Sequence, residues 1–207
     1  MHAQAERIGR WRIEDLYATE RLSISKAVDS RQLEFATGRG IARSLLASVG
    51  IENQAIPVGT LREPVWQKNI VGSITHEYPC CVVAIAMEPN IRGLGIDLAP
   101  QVAPDTSLTS EICTAEEIKL LDELPALPGI HKFMLVFSIK EALFKCLFPH
   151  VQEFFEFKDV NVELDLEEES ASIKFNNTGL LADICLPSDL RVKFCFPENY
   201  IFSTVVL

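Results

Sequence analysis

Three polar side chains form one stripe on the mainly apolar segment 132–149, KFMLVFSIKEALFKCLFP. They are Ser138, Glu141 and Lys145, at the helical spacings i, i+3 and i+7. The segment predicts one helix that ends at Pro149, and a helix that is apolar around most of its circumference is normally buried. Because an unpaired buried charge is costly, the stripe is expected to face a crevice, a metal or an anion. From this helix alone, an ordinary ion pair of Glu141 and Lys145 on a solvated edge fits equally well.

Asp97 is a second candidate, because it interrupts the apolar run 94–98, LGIDL, which predicts a strand. A carboxylate inside such a strand is unfavourable unless it has a partner or a function.

The elements that must position these side chains are predicted from hydrophobic periodicity and from turn-forming residues. Residues 20–49 predict helix with a break near Asp29, and Gly38 and Gly40 inside it indicate either close approach of backbone or ligand, or else a helix start or simple packing. The proline- and glycine-rich segment 56–66 predicts a loop that presents Arg62 and Trp66. Thr114 and Glu117 form a capping box that opens a helix. Strands are predicted over 80–87, 94–98, 160–166, 171–175, 180–186, 192–196 and 200–206.

Composition limits the classes of function. The chain has 207 residues, of which 48% are hydrophobic, and a formal net charge of −10. This charge argues against a broad nucleic-acid or anionic-membrane surface, although a local basic pocket remains open. The six cysteines lack metal-ligand spacing and are interpreted as reduced thiols, mostly in the core. No segment has the pattern of a signal peptide or the length of a membrane span, so a cytoplasmic protein is expected.

Three patches occur in fixed order: Gly72-Ser-Ile-Thr-His76, Gly95-Ile-Asp97 and Phe137-Ser-Ile-Lys-Glu-Ala-Leu-Phe-Lys145. Together they resemble the 4′-phosphopantetheinyl transferases, in particular the branch of enterobactin synthetase component D. The segments Glu34-Phe-x-x-Gly-Arg39 and 57–66 are similar to the same branch. The resemblance covers roughly residues 31–165.

The resemblance implies an α+β fold made of a pseudo-twofold pair of similar halves with antiparallel sheets, 1–98 and 99–207, and a site in the cleft between them. It implies a holo-[acyl-carrier-protein] synthase type of transferase that moves the phosphopantetheine arm of coenzyme A to a serine of an apo carrier protein. Adenosine 3′,5′-bisphosphate leaves, and Mg²⁺ is the cofactor, with Mn²⁺ as the alternative. The expected partners are coenzyme A and an acyl, peptidyl or aryl carrier of siderophore or secondary metabolism, with the enzyme a monomer that docks the carrier near residues 105–130.

The resemblance also implies a role for each matching residue. Asp97 and Glu141 are the expected metal ligands, since Mg²⁺ prefers carboxylate oxygen. Lys145 and His76 are expected to contact phosphate oxygens, with hydroxyl or backbone donors from Ser73 and Thr75. The remaining matches are the arginines expected at the 3′-phosphate and adenine end: Arg31, Arg39 and Arg62.

Other points are left open by the residues. Many relatives carry Glu two residues after the Asp, whereas this chain has Ala99, which cannot bind a metal. The base that takes the serine proton is either Glu141 or a metal-bound water. Lys140 is either a further phosphate contact or a surface lysine. The rival functions are a non-catalytic protein that binds coenzyme A or a carrier, and a metal-dependent phosphohydrolase.

Overall fold

The computed structural model describes residues 1–102, 106–176 and 190–207. The chain divides into two compact units, Met1–Leu94 and Gly95–Leu207. The boundary expected after Leu98 lies within a strand that begins at Leu94. Since the second unit begins at Gly95, Asp97 belongs to the second unit. The strand expected over 180–186 lies outside the described residues.

The first unit consists of a three-stranded antiparallel sheet and two helices. Its strands are β1 (His2–Arg7), β2 (Ile70–Glu77) and β3 (Cys80–Met87), in the order β1-β3-β2. Its helices are α1 (Ala18–Ile24) and α2 (Asp29–Ser48), so the expected break falls just before Asp29. Strand β1 was not predicted.

Helix α2 packs on β1 and β3, and its two internal glycines serve this packing. A Cβ at Gly38 would press on the side chain of Ile74, and a Cβ at Gly40 would overlap the indole of Trp11. The core beneath the helix consists of buried aliphatic residues and one cysteine: Ile41, Ala42, Leu45, Leu46, Ile56, Ile70, Cys81, Val83 and Ile85. Of the two readings of these glycines, packing is therefore the one that the contacts explain.

The second unit contains a five-stranded sheet in the order β4-β8-β7-β6-β5. The strands are β4 (Leu94–Pro100), β5 (Val160–Asp165), β6 (Ser170–Phe175), β7 (Arg191–Cys195) and β8 (Tyr200–Val206). The pairs whose register is described, from β5 to β8, are antiparallel. In the described part of this unit, three helices accompany the sheet: α3 (Thr109–Ile112), α4 (Ala115–Glu123) and α5 (Lys132–Val151). These elements confirm the predicted α+β class with antiparallel sheets.

Helix α5 is the centre of the second core, as its apolar circumference predicts. Twelve of its residues are buried, and it packs on β8 and β5. It does not end at Pro149 but continues to Val151, and the cap residue Gln152 adopts a left-handed conformation (φ 53°) and donates its N–H to the carbonyl of Phe148 at 2.8 Å. Pro149 lies in the last turn of α5, where the backbone N–H that it lacks removes a single helical hydrogen bond, and two further residues remain helical. In the described part of the chain, no helix is long and apolar enough to cross a membrane.

Candidate active site

Residues Asp97, Glu141 and Lys145 form one cluster in the second unit. Strand β4 carries Asp97, and its alternation places Gly95, Asp97 and Ala99 on the same face. That face meets α5, because a Cβ at Gly95 would overlap the carbonyl oxygen of Ala142. The missing side chain of Gly95 thus allows the close approach that brings Asp97 to α5.

Lys145 holds the strand and the helix together at this point. Its Nζ donates to Oδ1 of Asp97 at 2.6 Å and to the carbonyl oxygen of Ile96 at 3.3 Å. The Asp97 side chain is 7% exposed and that of Lys145 is 27% exposed. The lysine therefore supplies positive charge to a nearly buried carboxylate while part of it stays accessible to an anion.

Glu141 lies one helical turn before Lys145 and is half-buried. Burial raises the pKa of its carboxyl, the ammonium of Lys145 lowers it, and the carboxylate of Asp97 raises it further, with a net upward shift. Glu141 also lines a cavity of about 260 Å³ with Lys140 and aromatic side chains, among them Phe144 and Phe157.

The donor set of this cluster suits a hard cation. Among the residues that the structure describes, no group of three or more His, Cys, Asp and Glu side chains could hold a metal. The cluster offers two carboxylates, and Mg²⁺ is commonly held by one or two carboxylates together with substrate phosphates and water. Asp97 and Glu141 therefore fit a Mg²⁺ site that is completed by its substrate.

Ala99 cannot serve as a metal ligand, because its side chain is a methyl group. It is 2% exposed and belongs to the apolar cluster that includes Ile112, Cys113 and α5 residues such as Leu135. The position at which the family resemblance implies a glutamate is thus part of the hydrophobic core here.

The first unit contains a hydrogen-bonded group of Arg31 and Glu34 on α2 and His76 on β2. Nη1 of Arg31 donates to Nε2 of His76 at 2.6 Å and to Oε2 of Glu34 at 3.1 Å. Since a guanidinium has only donors, Nε2 accepts and the ring proton of His76 lies on Nδ1. The Arg31 side chain is 51% exposed. A phosphate can compete for it, because a surface pair such as Arg31 with Glu34 is worth at most about 1 kcal/mol.

The structure does not bring Ser73 and Thr75 to this pair. Both are buried on β2, on the face opposite His76, because alternate residues of a strand point to opposite sides. The hydrogen-bonding role expected for their hydroxyls at the same phosphate as His76 stays a prediction.

Arg39 and Arg62 occupy unlike positions. Arg39 is buried, lies 4.4 Å above the ring of Phe35 and donates through Nε to the carbonyl oxygen of Ile56 at 2.7 Å. Burial lowers its pKa to about 10. Arg62 is exposed, at φ 73°, on the loop closed by the bridge of Val58 with Pro64. The predicted contacts of both with the 3′-phosphate are untested by this geometry.

Two buried ion pairs were not anticipated. The carboxylate of Glu20 accepts hydrogen bonds from Nη1 of Arg43 at 2.8 Å and from the N–H of Ile56 at 2.8 Å. Because Arg39 donates to the carbonyl oxygen of Ile56, both backbone polar groups of Ile56 are bound by buried charged side chains. Lys140 pairs with Glu117 at 2.7 Å, which excludes the surface-lysine interpretation. The only sequence signal for Glu117 was its capping box, which the structure confirms.

Two protein-family models together match most of the chain. The model of the 4′-phosphopantetheinyl transferase N-terminal domain matches residues 19–86, and that of the 4′-phosphopantetheinyl transferase superfamily matches residues 93–203. The chain belongs to the 4′-phosphopantetheinyl transferase superfamily. The resemblance found in the three sequence patches is thereby confirmed.

Individual relatives are moderately similar over much of their length. The chain is 29% identical to the 4′-phosphopantetheinyl transferase Npt of Nocardia iowensis, over 76% of this chain and 71% of the relative. It is 26% identical to the 4′-phosphopantetheinyl transferase PptT of Mycobacterium tuberculosis, over 89% and 82%. It is 31% identical to enterobactin synthase component D of Escherichia coli K12, over 56% and 54%.

Proposed function

We propose that this transferase is of the holo-[acyl-carrier-protein] synthase type and uses Mg²⁺ to move the phosphopantetheine arm of coenzyme A to the serine of an apo carrier protein. The observation that carries the proposal is the 2.6 Å contact of Lys145 on α5 with Asp97 on β4, one helical turn from Glu141 on the same helix. In this reaction the serine oxygen bonds to the β-phosphorus of coenzyme A. The bond from that phosphorus to the bridging oxygen breaks, and adenosine 3′,5′-bisphosphate leaves.

The protein's contribution to such a transfer is mainly positioning and charge neutralisation. Asp97 and Glu141 would hold Mg²⁺, which supplies positive charge to the diphosphate when bound; Mn²⁺ is the alternative ion. Lys145 adds a second positive charge, on a side chain that is still partly exposed.

The serine proton is proposed to pass to Glu141 or to a water held beside it. Arg31 and His76 of the first unit are proposed to bind phosphates of coenzyme A, with Arg39, Arg62, Ser73 and Thr75 as further contacts. The carrier is proposed to dock near residues 105–130. A monomeric, cytoplasmic enzyme remains our expectation.

The test is mass spectrometry of an apo carrier incubated with coenzyme A and Mg²⁺. The carrier should gain the mass of one phosphopantetheine arm with the natural chain and none with Asp97→Ala or Glu141→Gln. Glu163→Gln is the matched control, since Glu163 is exposed on β5 at the opposite edge of the sheet from β4. Full activity of both site variants would overturn the assignment of the site.

A second candidate, a non-catalytic protein that binds coenzyme A or a carrier, is favoured by one observation. Ala99 provides no third carboxylate and lies in the core. This candidate predicts coenzyme A binding that Mg²⁺ does not change, together with no mass gain on any of several carriers. A phosphohydrolase would instead release phosphopantetheine when no carrier is present.

A further inference from the structure

Lys140 is the neighbour of Glu141 on α5, and its charge is fully buried. Its ammonium donates to Oε2 of Glu117 at 2.7 Å, to the carbonyl of Ile112 at 3.0 Å and to the carbonyl of Phe157 at 2.8 Å. An ammonium has three N–H donors, so every one of them is used. The side chains of Lys140 and Glu117 are each 1% exposed.

Glu117 is held as firmly as its partner. Its Oε2 also accepts the N–H of Thr114 at 2.8 Å, and its Oε1 accepts the N–H of Val162 at 2.8 Å. The pair therefore ties α5 to the end of α3, the first turn of α4, the turn before β5 and β5 itself. The three bonds of the Lys140 ammonium meet α5 one residue before Glu141.

Stability does not account for such a pair. Burying two charges costs about as much as their attraction returns, and apolar residues of similar size often stabilise a protein equally well. The gain is directional, because hydrogen bonds fix the rotation and translation of a helix, whereas apolar burial has no preferred direction. Glu141 shares its cavity with Lys140 and Phe157, so their arrangement sets the walls around its carboxylate.

We propose that Lys140 and Glu117 are positioning residues that fix the carboxylate of Glu141 for phosphopantetheine transfer. This inference rests on the proposed function of Glu141. The pair acts through the orientation of α5 and contacts neither substrate nor metal.

The experiment compares the natural chain with the double variant Lys140→Met/Glu117→Gln. The double variant removes both charges together, and glutamine is an accepted third residue of a capping box. We expect a folded protein whose KM for coenzyme A changes less than about threefold while kcat falls on the order of 10- to 100-fold, the penalty of a misplaced catalytic group. Independently of turnover, the Mg²⁺ concentration that gives half-maximal thermal stabilisation should rise.

Lys132→Met is the matched control. Lys132 also lies on α5 and donates to backbone carbonyls of Leu121 and Leu124, but it is more than two turns away from Glu141. Its loss should lower stability and leave kcat and the Mg²⁺ requirement of the folded enzyme unchanged.

The outcomes separate this inference from the function on which it rests. If the natural chain transfers no arm, the proposed function fails. If it transfers the arm and the folded double variant has natural kcat and Mg²⁺ dependence, the positioning role fails. Should the double variant not fold, Glu117→Asp decides, because it keeps both charges and shortens one arm of the pair. A smaller fall in kcat at constant KM supports the role, and natural kcat overturns it.

Discussion

The carboxyl group of Glu141 occupies an environment that disfavours its charge. Burial is the largest cause of the upward shift of its pKa; the ammonium of Lys145 opposes the shift, and the carboxylate of Asp97 adds to it. A group with a raised pKa in the folded protein contributes stability that is present at low pH. That contribution is lost as the pH rises through the folded pKa.

Glu141→Gln is accordingly expected to raise the stability of the metal-free protein at neutral pH, because it removes a charge that folding disfavours. Near pH 4, around the ordinary pKa of glutamate, the variant and the natural chain should differ much less. Urea unfolding in EDTA at the two pH values measures this. A neutral-pH stability of Glu141→Gln below that of the natural chain would contradict it, and the exposed Glu163→Gln serves as the reference.

The effect expected of a substitution at Ala99 differs between the sequence and the structure. From the sequence, Ala99→Glu restores a third metal ligand and should lower the Mg²⁺ concentration required. In the structure the same change puts a carboxylate into an apolar cluster.

We expect Ala99→Glu to lower the free energy of unfolding by on the order of 3 kcal/mol in metal-free buffer, the penalty of an unpaired buried charge. Ala99→Gln, of the same size and uncharged, should lose less. Urea midpoints of the two variants give the difference. Equal stability of Ala99→Glu and the natural chain without metal would refute the burial of this site.

Among the elements, the contact of β4 with α5 determines the geometry of the site. Gly95 permits it, and the atoms that a Cβ would meet are backbone atoms of Ala142 and Cys146, which cannot rotate away.

Gly95→Ala should therefore cost about 1–3 kcal/mol, the usual range for overpacking, and reduce transfer by moving Asp97 away from Lys145. Gly38→Ala is the control, since a Cβ there would meet a side-chain methyl of Ile74 rather than backbone atoms and would also gain helix propensity. Thermal unfolding and the transfer rate of both variants test this. The prediction fails if both variants lose equally little.

Much of the element pattern was predictable because it is encoded locally. The apolar circumference of α5 predicted its burial, and β8 begins and ends where the alternation of 200–206 placed it. Strand β1 was missed, since a short run of alanine and polar residues has little apolar alternation and forms by pairing with β3. The partnership of Lys140 and Glu117 joins residues 23 positions apart, and no local pattern indicates it.

For the whole molecule, a net charge of −10 has a consequence for partners. The carriers expected from the family resemblance are themselves acidic. Long-range attraction therefore does not favour the encounter, and docking depends on local basic and apolar contacts.

The KM for an acidic carrier is expected to stay constant or fall as NaCl rises from about 50 to about 200 mM, because salt screens the repulsion between like charges. The KM for coenzyme A should rise over the same range, since its phosphates are proposed to bind Arg31 and His76. Steady-state kinetics with each substrate varied in turn measures both slopes. A carrier KM that rises tenfold would show that opposite charges dominate the docking surface.

The two tryptophans of the chain, Trp11 and Trp66, both lie in Met1–Leu94, each against a glycine that leaves room for its indole. Intrinsic fluorescence excited at the indole band is thus an optical reporter of the first unit alone. A change in emission when coenzyme A is added would come from the unit of Arg31 and His76. The unit of Asp97 and Glu141 would contribute no signal at these wavelengths.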